Sequence, residues 1–230
     1  MKLETENYMT DTQLTLVSDS ADLPAYLQKT ADRGNENVGS AVAIPRIKQL
    51  QKMNNEVDKN HKAYIPGAEP GDFVNTVTEE VIKDSIYVVS LTFKIEYAVW
   101  RDLEKGGGFG GDYVTRAEAQ EYVDQQDNPG EWAINETHSH VLLLKDPETG
   151  ELSPHPVIMN MASSKLRVSK AWNTQIGMKG GDRFASLWKV SSVSTENKSG
   201  QAFLNLDIKS HGWCLEEDYL LAEKIYERFS

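Results

Sequence analysis

Cysteine, long apolar runs and positive charge are all scarce in this 230-residue chain. Cys214 is the only cysteine, which excludes an internal disulfide and favours a reducing, cytoplasmic setting. No run approaches the ~18 apolar residues of a membrane-spanning helix, so no membrane association is expected. The first residues are polar and acidic, which is the wrong chemistry for a secretory signal peptide.

Negative charge dominates the chain, but it is unevenly distributed. The net charge is -11, which by itself argues against a nucleic-acid partner. Residues 163–189 nevertheless hold six cations and one acid, whereas residues 112–151 hold ten acids and two cations. Because distribution matters more than the total, the later segment is the place where a polyanion is expected to bind.

A glycine-rich stretch at residues 104–114 matches the G-x-G-x-x-G spacing through Gly106, Gly108 and Gly111. A dinucleotide site needs a strand that runs directly into the first glycine and a helix that starts at the glycines. Polar residues precede Gly106 here, and the next helix cap lies four positions beyond Gly111. No nucleotide or other cofactor is therefore expected, and the loop is interpreted as a hinge or flap whose Phe109 closes over a bound strand.

Hydrophobic periodicity predicts helices and strands over most of the chain. Residues 86–100 alternate as one long strand, with Tyr87 through Val99 at odd positions on a single face. Helices are predicted over 43–59, over 115–126 with a capping box from Thr115 to Glu118, and over 215–229. Shorter strands are predicted at 139–145, 155–162, 164–170, 183–193 and 202–210.

These elements predict an α+β fold built on a small, antiparallel β-barrel. Residues 1–40 are expected to form a flexible or loosely docked arm. Residues 41–230 would be a single domain with an N-terminal helical segment, an acidic helical insertion at about 104–136 and a C-terminal helix.

The four residues His138, His140, His211 and Cys214 are numerous enough for a zinc site, but their spacing matches no compact zinc motif. No metal is therefore expected. The chain also lacks a G-x-S-x-G elbow or a cysteine in an activating context, so it is not expected to be an enzyme.

The basic segment points instead to nucleic acid. On the predicted strand 164–170, Lys165 and Arg167 share an outward face, and Trp172 follows at its end. Cations that attract phosphates and rings that stack on bases are what a non-specific single-strand surface needs. The alternative, that Trp172 and Phe203 cover a neighbouring layer while Trp188 lies in the core, stays open.

The stretch SSKLRVSKAWNTQIGMKGGDRFASLWKVSSV, residues 163–193, resembles the single-stranded DNA-binding proteins of short-tailed, double-stranded DNA phages. Those proteins carry a similar Ser-Lys-Leu-basic strand, a Trp-Asn-Thr step, a glycine-containing turn and an apolar strand. The resemblance implies an OB-type barrel that binds single-stranded DNA, with Lys165, Arg167, Lys170 and Trp172 at the matching positions. The chain departs from the pattern at its C-terminus, where a short amphipathic segment replaces a long acidic tail.

The expected function is non-catalytic, largely sequence-independent binding of single-stranded DNA in phage replication and recombination, in the host cytoplasm. Phage replication proteins would be further partners. The alternative is a protein-interaction module that binds a host or replication enzyme through an acidic surface. Oligomeric state, including a homo-oligomer, and the choice between DNA and RNA stay open. The expected contact residues are Lys165, Arg167, Lys170, Trp172, Lys179, Arg183, Phe203, Lys94, Trp100 and Phe109.

Overall fold

Two antiparallel sheets and three α-helices make up the computed structural model, which describes residues 44–196 and 199–228. The α+β class is therefore confirmed. The predicted arm, residues 1–40, lies outside the described residues. Among the residues that the structure describes, no helix is both long and apolar enough to cross a membrane.

The larger sheet consists of β4 (Ser85–Arg101), β5 (Phe109–Tyr113), β6 (Trp132–Lys145), β7 (Val157–Ala162), β8 (Ser186–Glu196) and β9 (Ala202–Trp213). The strand order is β7-β6-β4-β8-β9, and β5 pairs with one end of β4. Five of the predicted strands coincide with or overlap strands of this sheet: those at 86–100, 139–145, 155–162, 183–193 and 202–210. Because β7 and β9 end the order without pairing to each other in the described residues, the closed OB-like barrel is not confirmed.

A smaller sheet forms from β1 (Ile47–Gln49), β2 (Phe73–Asn75) and β3 (Val81–Ile82). The helix predicted over residues 43–59 is therefore wrong. Ile47 and Leu50 are buried, whereas Met53 is 91% exposed. The Asn54 side chain accepts from the Gln51 backbone N–H and closes a turn there, a local bond that competes with helix formation.

Helices α1 (Arg116–Asp124) and α3 (Glu216–Tyr226) confirm their predictions. Thr115 and Glu118 form the expected reciprocal capping box at the start of α1. In α3, Ile225 is buried and Leu221 packs against the same cluster.

Helix α2 (Lys165–Lys179) replaces the strand predicted at 164–170, which is wrong. The alternation Lys-Leu-Arg-Val covers only four residues. Over the longer window Val168, Trp172 and Ile176 recur every fourth residue and pack on one cluster, which is helical spacing. Lys165 and Arg167 consequently do not share a strand face.

A β-bulge in β4 divides the long strand between the two faces of the sheet. The register against β6 shifts between Ser90 and Thr92. Before the shift, Leu91 lies with Val89 in the cluster under α3. After it, Phe93 contacts the rings of His138 and His140 on the opposite face. The predicted single face from Tyr87 to Val99 is therefore wrong, because one extra residue inverts the alternation.

The two faces carry separate cores. On the face covered by α2 and the small sheet, here called the α2 face, Trp172 and Trp188 are completely buried beside Phe73. The core position of Trp188 is thus confirmed. On the other face, here called the α3 face, Ala222 and Ile225 of α3 cover Val89 and Leu91 in a second cluster.

The glycine loop joins two paired strands. Gly106, Gly107 and Gly108 all have positive φ and form the turn, while Phe109 already belongs to β5 and lies opposite Trp100. Phe109 is therefore held by strand pairing and does not lie on a flap. Beneath the hairpin, Gly110 packs against Tyr122 and Trp132.

We expect Gly110→Ala to lower the free energy of unfolding by about 1–3 kcal/mol, because overpacking of a filled core forces its neighbours to shift. A Cβ at this position would lie 2.6 Å from Tyr122 Cε1 and 3.0 Å from Trp132 Cζ3. Urea titration measures the change. Gly130→Ala is the matched control, because its Cβ would meet nothing within 4 Å; equal stabilities of the two variants would contradict the packing described.

Candidate functional site

The ten residues predicted to contact nucleic acid do not form one surface. Five lie on α2 and Arg183 follows it, so six belong to the α2 side of the sheet. The other four are on the α3 face, as strand register shows. They are Lys94 opposite Ser139, Trp100 opposite Ala133 and Phe109, and Phe203 on the same side of β9 as Lys209.

Trp172 is completely buried, so its predicted role as an exposed stacking platform is wrong. Its ring stacks on His140 with centroids 4.6 Å apart. Burial also lowers the pKa of Lys165. Lys179 is tied down, since its Nζ donates to Ser210 Oγ at 2.8 Å and to the Gly212 carbonyl. Of the α2 cations, Arg167 and Lys170 therefore remain as exposed ones.

A polar network that the sequence did not predict fixes α2 to the sheet. The buried Ser169 hydroxyl lies 2.7 Å from His138 Nδ1 and 2.7 Å from His140 Nε2. Arg183 lies beyond His140, with Nη2 3.2 Å from His140 Nδ1 and 2.7 Å from Asn173 Oδ1. The network thus joins α2, β6 and the segment that follows α2. In the sequence, only the two histidines at alternate positions of a predicted strand indicate such a network. Nothing in the sequence indicates that Ser169 and Arg183 are their partners.

The chemistry of Arg183 fixes the tautomer of His140. A guanidinium only donates, so His140 Nδ1 accepts and the His140 proton lies on Nε2, which donates to Ser169 Oγ. Ser169 Oγ shares a second hydrogen bond with His138 Nδ1, and His138 Nε2 donates to the Glu136 carboxylate at 3.0 Å. His140 is therefore a neutral imidazole in this arrangement.

The hydrogen-bonded side chains of Glu136, His138 and Ser169 follow the order of the acid, base and nucleophile in a catalytic triad. Ser169, however, is 0% exposed and sits in the middle of a packed helix. A substrate cannot reach its Oγ without displacement of α2. The network is therefore assigned a structural role.

The four residues considered for zinc are not brought together. His138 and His140 lie on the α2 face. The His211 ring packs against Tyr87 on the α3 face, with the two ring centroids 4.9 Å apart. The Cys214 thiol donates to the Phe184 carbonyl, and burial raises its pKa to about 11. In the described ranges no group of three or more histidine, cysteine, aspartate or glutamate residues could hold a metal ion.

An open corner of the α3 face brings together a second set of residues that the sequence did not identify. Tyr87, Lys189 and Lys209 are directly opposite one another across β4, β8 and β9. Lys189 Nζ lies 5.7 Å from the Tyr87 ring centroid, and the exposed His211 packs edge-on against the same ring. The corner thus presents two rings and two amines on one side of the sheet.

Charges around this corner are partly compensated. The Lys209 side chain is 76% exposed and lies 2.7 Å from Asp207. On the opposite side of Tyr87, Lys145 is paired with the buried Asp218 of α3 at 2.5 Å. Within the described ranges no salt bridge joins Lys189 to an acid, so two lysines against Asp207 leave the corner locally cationic. Residues this far apart in sequence become neighbours only through strand register, which the sequence did not supply.

We expect protein stability to fall with decreasing pH because of His140. Burial is the main cause that lowers the pKa of His140 to about 3, and the neighbouring Arg183 and His138 lower it further. The unfolded chain binds this proton near the ordinary value of 6.5, so the stabilisation is full above about pH 6.5 and is lost as pH falls toward 3. From pH 6.5 to 5.5 the loss amounts to about 1 kcal/mol, and below pH 5.5 it approaches about 1.4 kcal/mol for each further pH unit until the pH nears 3.

Urea titrations at these pH values test this. His140→Gln removes the titrating ring, so its free energy of unfolding should depend less steeply on pH than that of the native protein. His155→Gln, at an exposed position, should keep the native slope. An unchanged slope in His140→Gln would contradict the neutral, buried imidazole.

Comparison with known proteins supplies the remaining evidence. No curated protein and no solved structure matches the chain. A family model described as Pam3 phage gp34-like protein matches residues 15–230, which is nearly the whole sequence. The chain therefore belongs to the Pam3 phage gp34-like protein family and is a phage protein.

Proposed function

We propose that this phage protein binds single-stranded DNA through the open corner of the α3 face formed by Tyr87, Lys189, Lys209 and His211. The observation that carries the proposal is the row Tyr87–Lys189–Lys209 across three adjacent strands. Neighbouring strands are ~4.8 Å apart, so the Cα atoms of the three residues lie within roughly 10 Å of one another, and Lys189 Nζ lies 5.7 Å from the Tyr87 ring centroid. A ring able to stack on a base and amines able to bind phosphate would thus lie side by side.

The chemistry of these groups fits a single strand better than a duplex. Rings stack on unpaired bases for about 1–3 kcal/mol each, and lysines attract phosphates without reading sequence. Phe203, predicted as a contact, lies on the same side of β9 six residues from Lys209. It would extend the stacking surface along the strand. Binding would thus be largely independent of base sequence.

An open sheet face is sufficient for this role, so the proposal does not depend on a closed OB-type barrel. The family gives a phage context, and the resemblance over residues 163–193 favours a role in phage replication and recombination. The site proposed here differs from the one implied by that resemblance, because the matching Trp172 is buried.

We expect fluorescein-labelled oligo-dT to bind at low salt, with a log–log salt slope of about -0.7 for each phosphate that is neutralised. Lys189→Gln with Lys209→Gln should weaken binding about tenfold and make the slope shallower by about 1.4, because two phosphate contacts are lost. Fluorescence anisotropy at a series of salt concentrations measures both quantities.

The matched control is Arg167→Gln with Lys170→Gln, which removes the same charge from exposed positions on α2. It should change the salt slope much less. Failure of the native protein to bind oligo-dT at low salt would reject single-stranded DNA binding. Loss of affinity in the α2 variant alone would instead place the contact on α2, as the sequence predicted.

A further inference from the structure

A pair of exposed aromatic rings lies at the far end of the β4–β5 hairpin. Trp100 is 49% exposed and Phe109 is 53% exposed. They are cross-strand partners with ring centroids 4.7 Å apart. Leu103, in the loop between the two strands, is 88% exposed. Large exposed aromatic groups of this kind are typical of the residues that dominate protein–protein binding energy.

The hairpin end, defined here as residues 100–109 with Glu131–Ala133, is held in place from behind. Arg101 Nη2 pairs with Glu131 Oε2 at 2.7 Å. Backbone bonds also run from Arg101 N–H to Gly108 O and from Asp102 N–H to Glu131 O. Since these contacts fix the rings before any partner arrives, binding would cost little ordering entropy.

The hairpin end carries more acids than cations. Asp102, Glu104 and Glu131 stand against Arg101 and Lys105, and Asp112 follows on β5 opposite Ala98. A cleft of about 320 Å³ opens beside Trp100, and its lining includes Asp102 and Glu131. Glu131 is already paired with Arg101, whereas Asp102 is exposed and its carboxylate accepts one backbone N–H, from Glu104. The cleft therefore combines an aromatic wall with an available negative charge.

We infer that the hairpin end docks a basic segment of a partner protein. An apolar side chain of that segment would pack on Trp100 and Phe109, while a lysine or arginine would lie over the Trp100 ring and reach Asp102. Such a cation gains both a carboxylate and an aromatic face. Like-charge repulsion disfavours a nucleic acid here, and it also disfavours the same acidic end of a second copy.

This surface is separate from the corner proposed to bind single-stranded DNA. Tyr87 and Trp100 are thirteen residues apart on one strand, which is roughly 40 Å at the rise of an extended chain. Occupancy of one surface therefore leaves the other accessible, and each can be tested alone.

Three fluorescein-labelled synthetic peptides of equal length test the inference with the full chain. One alternates lysine with leucine, one lysine with serine and one glutamate with leucine. The Lys–Leu peptide should bind, and the other two should bind at least tenfold more weakly. Trp100→Ser should weaken Lys–Leu binding at least tenfold, whereas Trp213→Ser, at a 60% exposed tryptophan elsewhere, should leave it unchanged.

Asp102→Asn provides a second variant that preserves the fold, because asparagine still accepts from Glu104 N–H at the turn. It should weaken Lys–Leu binding several-fold and reduce its salt dependence. The inference is overturned if the Lys–Leu peptide does not bind, if the Glu–Leu peptide binds equally well, or if Trp213→Ser has the same effect as Trp100→Ser.

Two further measurements test whether the hairpin end instead binds a second copy of the chain or a nucleic acid. Sedimentation that shows a native oligomer converted to a monomer by Trp100→Ser would identify a self-association interface and overturn the inference. Loss of oligo-dT affinity in Trp100→Ser would assign the rings to nucleic acid and overturn it as well. Retained oligo-dT affinity in Trp100→Ser supports it. Failure of oligo-dT to bind the native protein bears only on the single-stranded DNA proposal, because the peptide assay does not involve that corner.

Discussion

The bulge at Leu91 in β4 is the constraint on which the rest of the structure depends. This strand pairs with β5, β6 and β8, and its side chains contribute to the surfaces of both faces of the sheet. One extra residue directs Val89 and Leu91 under α3 and then Phe93 toward His138 and His140 under α2. The same inversion places Trp100 on the α3 face with Phe109. A single backbone irregularity thereby decides what each face can present.

The polar network around Ser169 lies on the α2 face, beside Phe93. Arg183, a cation at its inner end, can only donate, and this fixes the tautomer of His140 and its bond to Ser169. A buried polar group costs free energy unless it is satisfied, so a complete chain of this kind specifies one position for α2. The network also engages Arg183, a cation of the basic segment, and Lys179 is held separately by Ser210 and the Gly212 carbonyl.

The two ends of the α3 face carry charges of opposite sign. Helix α3 covers the middle of the sheet and leaves a locally cationic corner at β8 and β9 and an acidic, aromatic end at β4 and β5. A protein with a net charge of -11 can attract an anion only where cations are grouped, and register groups Lys189 with Lys209. The acidic end has the opposite preference. The ligands proposed for the two surfaces accordingly carry opposite charges.

Composition and local pattern determined a good part of this protein: the α+β class, the long first strand, the capped helix α1, the helix α3 and the core position of Trp188. These depend on periodicity and capping, which act between residues close in sequence. Residues 164–170 were misassigned because four alternating residues satisfy a strand and a helix equally, and Trp172 decides between them only once it has a sheet to pack against. The bulge, the partners of Ser169 and the row of Tyr87, Lys189 and Lys209 were decided by tertiary structure alone, because strand register and helix docking bring together side chains whose separation in sequence carries no signal.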